Sequence, residues 1–176
     1  MPTTRTASAP PARKPLYTPE QRVRRDATVW TTVQGVLAPV QFLVMLVSLG
    51  LLIRFLVTGA GYEAATISVV LKTAILLLIM VTGSIWEKVV FDEWLFADAF
   101  FWEDVVSFGV IALHLAYVWA LLAGWAPTTQ AWIAVVAYVA YAVNAIQFIL
   151  KLRAARLQEA ADRAAAEARA PEGLPA

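Results

Sequence analysis

The sequence predicts an all-α protein, a four-helix transmembrane bundle with its N and C termini in the cytoplasm. The chain of 176 residues is 60% hydrophobic and only 15% charged, with a mean hydropathy of +0.66. A soluble domain of this size does not have enough polar surface to accommodate such a composition. Basic residues precede the first apolar run and follow the last one, and the positive-inside rule places such flanks in the cytoplasm.

Four apolar runs are each long enough to cross a hydrocarbon layer about 30 Å thick. They cover residues 32–57, 65–90, 101–123 and 131–150. Together they define a predicted membrane domain over residues 18–155. Residues 1–17 are rich in Thr, Ala, Pro and Arg and are expected to form a disordered tail. Residues 156–176 are expected to form a polar tail that is helical or disordered.

The start of the membrane domain carries a helix-initiation pattern. Thr18 supplies a capping hydroxyl, Pro19 occupies the first helical position, and Gln21 follows the cap by three residues. We expect the helix that begins here to lie at the surface through Arg25 and then to continue into the first span.

Composition also limits the chemistry that this chain can carry. It has no cysteine and a single histidine, which excludes disulfides, thiolate metal sites and a multi-histidine metal centre within one chain. No metal site is therefore predicted. The basic clusters at both ends are explained by membrane topology, so no nucleic-acid partner is expected.

The most distinctive segment lies between the second and third spans. The pattern Trp-Glu-x-Val-Val occurs at residues 86–90 and again at residues 102–106, and six of the thirteen acidic residues fall between Trp86 and Asp104. Ionisable groups at the edge of apolar spans are costly and therefore point to function. Acids beside tryptophans indicate proton chemistry on a large flat substrate.

Polar side chains from all four spans are predicted to converge near the cytoplasmic surface, as a pocket open to that side would require. They are Gln34, Glu87, Glu103, Asp104, Asn144 and Gln147. Each of them also has a purely structural interpretation. An interfacial ion pair with Lys88 would account for Glu87. A helix dipole would account for one of Glu103 and Asp104, and helix packing would account for the amides.

His114 lies within the third span, where a packing role, a proton-carrying role and axial ligation of a macrocycle metal are all open. Eleven residues separate it from Glu103, which corresponds to about 16 Å along a helix. A pigment held through its metal by His114 would therefore not bring its rim to Glu103. Lys72, near the opposite side of the membrane, is expected to pair with Glu63 and receives no function.

Several longer segments are recognisable as they stand. They are YTPEQ at 17–21, VWT at 29–31, VQG at 33–35, GSIWEKVVF at 83–91, AFFWEDVVS at 99–107 and NAIQFILKLR at 144–153. Together they resemble the 3-vinyl bacteriochlorophyllide hydratase family, small membrane enzymes of bacteriochlorophyll synthesis in anoxygenic phototrophs. The resemblance runs from about Tyr17 to Arg156. It implies a hydro-lyase of the bacterial inner membrane that converts the 3-vinyl group of a chlorophyllide or bacteriochlorophyllide to 3-(1-hydroxyethyl).

This reaction needs one neutral carboxylic acid and one carboxylate, and no cofactor. We assign the acid to Glu87 or Glu103, with a preference for Glu103 because Lys88 is expected to keep Glu87 ionised, and the water-activating carboxylate to Asp104. The remaining candidates are substrate-binding residues: Gln34, Asn144 and Gln147 for ring carbonyls or water, Lys88 or Arg25 for the propionate, and Trp86, Trp102 and His114 for the ring.

The expected partners are the (bacterio)chlorophyllide with its own magnesium, membrane lipid and other enzymes of pigment biosynthesis. One alternative function comes from another class. A non-catalytic pigment carrier or assembly factor would use the tryptophans and His114 but would not need the acids. The tryptophans themselves are also explained by an interfacial aromatic belt.

Overall fold

The computed structural model describes residues 15–169, within which five α-helices and no strand occur. The helices are α1 (Pro19–Ala27), α2 (Val29–Thr58), α3 (Tyr62–Phe91), α4 (Phe101–Leu122) and α5 (Pro127–Arg169). The last four are each long and apolar enough to cross a membrane. The predicted all-α bundle with four spans is therefore confirmed, and α5 continues as a helix beyond the predicted fourth span, which ends at residue 150, to Arg169.

The four long helices form two antiparallel hairpins, because α2 packs most closely against α3 and α4 against α5. The first hairpin turns at Gly59, whose φ of +70° is a left-handed conformation that glycine adopts without steric penalty. The α3–α4 connection, α1 and the C-terminal part of α5 all lie at one end of the bundle, which we call the acidic end. Its placement in the cytoplasm stays a prediction.

We call the surface where the two hairpins meet the seam, and polar side chains join it at several depths. The Ser48 hydroxyl of α2 lies 2.6 Å from the Tyr138 hydroxyl of α5 and 2.7 Å from the Ser68 hydroxyl of α3. Near the opposite end, Tyr62 donates to Gln130 at 2.8 Å. Hydrogen bonds matter here because lipid tails are as apolar as leucine, so apolar burial alone does little to hold spans together.

α1 begins as the sequence predicts but ends earlier. Thr18 and Gln21 form a capping box, with bonds of 3.2 and 2.8 Å between each side chain and the other backbone N–H. The prediction that α1 continues into the first span is wrong. Thr28 has an extended backbone conformation that ends α1, and its side chain caps α2. Arg25 then donates to Glu159 of α5 at 2.8 Å, so α1 lies against the extension of α5.

The predicted tails are only partly described. Residues 1–14 and 170–176 lie outside the described residues. Tyr17 belongs to the predicted N-terminal tail, yet it is buried and its ring stacks on Phe91, so that tail cannot extend to residue 17. For the C-terminal tail, the helical alternative holds as far as Arg169.

Replacing Ser48 with alanine should lower the stability of the bundle by about 1 kcal/mol, because it removes a hydroxyl that links three helices across the seam. The matched control is Ser84→Ala, since the Ser84 hydroxyl donates only to the Val81 carbonyl of its own helix. Reversible unfolding in detergent would measure both. Equal stability of the two variants would contradict the role given to the seam.

Candidate active site

Two buried carboxyl groups face each other across the seam at the acidic end. Glu87, near the end of α3, is 5% exposed, and Asp104, in the first turn of α4, is 4% exposed. Their side chains are close enough to interact electrostatically. Two neighbouring carboxyl groups in a buried site do not readily both ionise, because their like charges repel each other. The pair therefore places an acid and a carboxylate side by side.

The connection between α3 and α4 closes over this carboxyl pair. The Phe96 N–H donates to Asp104 Oδ2 at 2.8 Å, and the next N–H, of Ala97, donates to Glu87 Oε2 at 3.3 Å. Phe96 has a φ of +60°, a left-handed conformation that costs a residue with a Cβ about 1–2 kcal/mol. Two successive backbone amides thus hold one carboxyl oxygen from each helix.

Glu103 has a different environment from the pair. Its Oε2 accepts from Lys151 Nζ of α5 at 2.5 Å, and the Lys151 ammonium also lies 5.1 Å from the centre of the Phe100 ring. A carboxylate in a charge-assisted bond of this kind is ionised and is a poor proton donor. The structure therefore does not favour the preference for Glu103 as the acid.

Lys88 does not restrain Glu87, and the ion pair suggested for them is wrong. Lys88 Nζ lies 2.7 Å from Asp92 Oδ1 and donates to the Asp92 carbonyl at 2.9 Å. This ammonium holds the pKa of the Asp92 carboxyl below its usual range. The reason is helix geometry: consecutive residues do not face each other, whereas residues four apart do.

Aromatic rings form a cluster on the inner side of the acidic end. Trp86 is part of this cluster, and its indole N–H donates to the Thr31 hydroxyl at 2.9 Å. Trp102 is 71% exposed and faces outward, so the two tryptophans of the repeated pattern do not line one surface. The other rings of the cluster are Tyr17, Phe91, Phe100 and Phe148. Burial raises the pKa of Tyr17 to about 12, so its hydroxyl stays uncharged.

The predicted amide residues are only partly brought together. Gln34 donates to Thr82 at 2.8 Å, within the first hairpin, and Asn144 donates to Ser107 at 2.8 Å, within the second. Both bonds are contacts between helices, so packing accounts for these two side chains in the structure as it stands. Gln147 is exposed on α5 and does not join the buried amides.

His114 is not near the carboxyl pair. It is 1% exposed, its Nδ1 lies 2.8 Å from the Val110 carbonyl, and its ring packs against Tyr138. Ten residues along α4 separate it from Asp104, about 15 Å by helical rise. The sequence-based separation of His114 from the acids therefore agrees with the structure.

Sequence reasoning missed Lys151, whose charge membrane topology alone would explain, and the amides of Phe96 and Ala97. A signal for Lys151 was present, because it follows Asn144 by seven residues and therefore lies on the same helix face. The sequence carried no comparable signal for the two amides, because every residue except proline has a backbone N–H. The residue type at position 96, phenylalanine, also does not predict a left-handed φ.

Comparisons with known proteins bear on this arrangement. The chain matches the family profile of 2-vinyl bacteriochlorophyllide hydratase over residues 17–154. The chain belongs to this family. A curated 2-vinyl bacteriochlorophyllide hydratase from Rhodobacter capsulatus is 64% identical over 154 residues, which cover 88% of this chain and 90% of the relative. A second, from Cereibacter sphaeroides, is 62% identical over 152 residues, or 86% and 94%.

No solved structure matches the chain. The resemblance seen in the sequence is confirmed as family membership, although the vinyl position is numbered differently in the two names. The match begins at residue 17, where Tyr17 enters the aromatic cluster, and it includes both hairpins and the carboxyl pair. Family enzymes of this name are hydro-lyases, and the chain is an enzyme of that class.

Lys151→Met should lower the unfolding free energy by about 1–3 kcal/mol, because it leaves the Glu103 carboxylate without its partner. Adding Glu103→Gln to this variant should restore part of that loss. As a control, Lys88→Met disrupts the pair with the fully exposed Asp92 and should change the unfolding free energy much less, because water screens an exposed ion pair. Chemical denaturation of the single and double variants would measure these values, and strict additivity of the Glu103 and Lys151 changes would contradict the pairing.

Proposed function

We propose that this hydratase-family chain adds water to the 3-vinyl group of a chlorophyllide or bacteriochlorophyllide and forms the 3-(1-hydroxyethyl) product. The supporting observation is the buried Glu87–Asp104 carboxyl pair. Hydration of a conjugated vinyl group needs a proton donor and a proton acceptor within reach of adjacent carbons. The pair meets this requirement with two side chains, and the proposed reaction uses no cofactor.

Within the pair, Glu87 is proposed to carry the proton and Asp104 the negative charge. Asp104 lies in the first turn of α4, where the helix dipole stabilises an anion, whereas Glu87 lies at the C-terminal end of α3, where the dipole opposes one. Asp104 also receives the shorter of the two backbone hydrogen bonds and lies near the Lys151 ammonium. These contacts divide the roles between two otherwise similar carboxyl groups.

The reaction then proceeds in two steps. The Glu87 carboxylic acid transfers its proton to the terminal carbon of the vinyl group, and the positive charge that forms on the adjacent carbon is delocalised into the macrocycle. A water molecule attacks this carbon through its oxygen, and Asp104 accepts the proton that the water loses. A proton transfer from Asp104 to Glu87 returns Glu87 to its acid form.

Glu103 receives a supporting role in this scheme. Its ion pair with Lys151 lies beside Asp104, so it fixes the charge distribution around the pair and also connects α4 to α5. Of the two paired carboxyl groups, Asp104, which accepts the proton in the second step, is the one that interacts electrostatically with the Lys151 ammonium. We therefore expect Glu103 to affect the rate less than either member of the pair.

The pigment is proposed to bind at the acidic end, with its own magnesium and in contact with membrane lipid. An exposed aromatic surface of α4 beside Asp104 could contact the face of the ring, and it includes Phe101, Trp102 and Phe108. Phe96, which donates its N–H to Asp104, stacks on Phe108 at a centroid distance of 5.4 Å. The site would lie in the bacterial inner membrane, near other enzymes of pigment biosynthesis.

Glu87→Gln and Asp104→Asn should each lower the hydration rate by roughly 10²–10⁴-fold, the usual contribution of a positioned acid or base. Glu103→Gln should have a smaller effect. Asp98→Asn is the matched control, because Asp98 is an acid of the same connection that no contact joins to the pair. The assay gives 3-vinyl chlorophyllide to membranes from a pigment-free host and follows the gain of one water by mass spectrometry. Near-normal rates in both pair variants, with folding verified by thermal unfolding, would refute the assignment.

A second measurement separates catalysis from pigment carriage. In water enriched in heavy oxygen, a hydratase incorporates the label into the hydroxyethyl group of the product. A carrier would bind the pigment and leave its mass unchanged. Binding without label incorporation in the wild-type protein would therefore favour the carrier.

A further inference from the structure

A second polar group lies in the middle of the bundle and has no part in the proposed reaction steps. Lys72 of α3 is 0% exposed and its Nζ has no hydrogen-bond partner within residues 15–169. The side-chain nitrogen lies 3.8 Å from the centre of the Tyr141 ring. The ion pair with Glu63 suggested from the sequence is therefore wrong. An amine buried in this way is costly unless something else satisfies its donors.

His114 brings a second unsatisfied group to the same depth and interacts electrostatically with Lys72. Because its Nδ1 faces the Val110 carbonyl at 2.8 Å, that nitrogen must carry the hydrogen, which leaves Nε2 as an acceptor in the neutral ring. The Nε2 atom is buried and has no partner among the described residues. A donor and an acceptor thus lie near each other, both without a protein partner.

Two amide oxygens extend this group. Gln41 Oε1 and Asn144 Oδ1 are buried and likewise lack partners in the described part of the chain. The contacts of Gln34 with Thr82 and of Ser48 with Ser68 fix the register of α2 against α3, and Gln41, midway between Gln34 and Ser48, is therefore within about one turn of Lys72. Asn144 lies one turn beyond Tyr141 on α5.

One pigment cannot reach both Lys72 and the carboxyl pair. Fifteen residues separate Lys72 from Glu87 on α3, about 22 Å along the helix. The Lys72 side chain also leans toward the N-terminus of its helix, away from Glu87. The group therefore needs a ligand of its own, one that accepts from an amine and donates to a ring nitrogen and to amide oxygens. Water has this combination of donors and acceptors.

We propose that Lys72, His114, Gln41 and Asn144 bind water molecules inside the seam, and that this water reaches the carboxyl pair. The second part rests on the proposed function. Asn144 is hydrogen-bonded to Ser107, and Ser107 lies one turn from Glu103, so a polar path continues from the site to the acidic end. The site would hold the second substrate of hydration inside the bundle.

Hydroxyl-radical footprinting of the full chain in lipid nanodiscs tests the site, because radicals generated from bound water label the nearest side chains. Tyr141 should be labelled although it is buried, whereas Phe55, which is buried in the apolar core far from Lys72, should stay unlabelled. Lys72→Met should abolish the labelling of Tyr141. Thr73→Val is the matched control, since the Thr73 hydroxyl is bonded to the Val69 carbonyl of its own helix, and it should keep the labelling.

Each outcome decides one part of the proposal. If Tyr141 of the wild-type protein is as unlabelled as Phe55, the site contains no water and the proposal is overturned. This result does not depend on whether any variant folds. For the supply of water, Lys72→Met should lower kcat and leave the KM for the pigment unchanged. If Tyr141 is labelled but Lys72→Met does not lower kcat, the water path to the carboxyl pair is rejected and the water site itself is retained. Absence of hydration by the wild-type protein would instead count against the proposed function.

Discussion

The spans are held together by buried polar side chains, which find their partners on neighbouring helices. In lipid, apolar side chains gain little by meeting each other, whereas a buried hydroxyl, amide or carboxyl needs a partner. The seam supplies these partners at each depth, from Tyr62 and Gln130 at one end to Glu87 and Asp104 at the other. The candidate catalytic pair is thus also a structural contact, and its geometry depends on how the two hairpins meet.

The short connection between α3 and α4 makes this contact specific. It covers the carboxyl pair, and its two amides bond to one oxygen of each acid. The left-handed conformation at Phe96 is unfavourable by itself and is retained where surrounding contacts outweigh it. Strain beside two buried carboxyl groups is the kind of local cost that functional sites carry, since a relaxed loop would present its amides elsewhere.

Much of the fold could be predicted from the sequence, because span length and hydropathy depend on composition alone. The capping pattern at Thr18 and the presence of acids at one end were also predictable. The pairing of side chains was not. Whether Glu87 met Lys88 or Asp104, and whether Glu103 was free or bound to Lys151, depends on how two hairpins turn against each other. A single sequence holds no direct signal of that rotation. The same limit explains why the predictions for Lys72 and Tyr17 were wrong. From their positions in the chain, Lys72 was expected to form an ion pair and Tyr17 to belong to a tail. Both are instead buried against helices or loops that are distant in the sequence.

The outward position of Trp102, next to Phe101 on the exposed side of α4, has a kinetic consequence for the proposed pigment site. A pigment that reached the site from this side would diffuse within the membrane plane instead of through the cytosol. Encounter would then depend on the number of pigment molecules per unit area of membrane. Expanding the membrane at a fixed amount of pigment and enzyme would slow the reaction, even though no bulk concentration had changed.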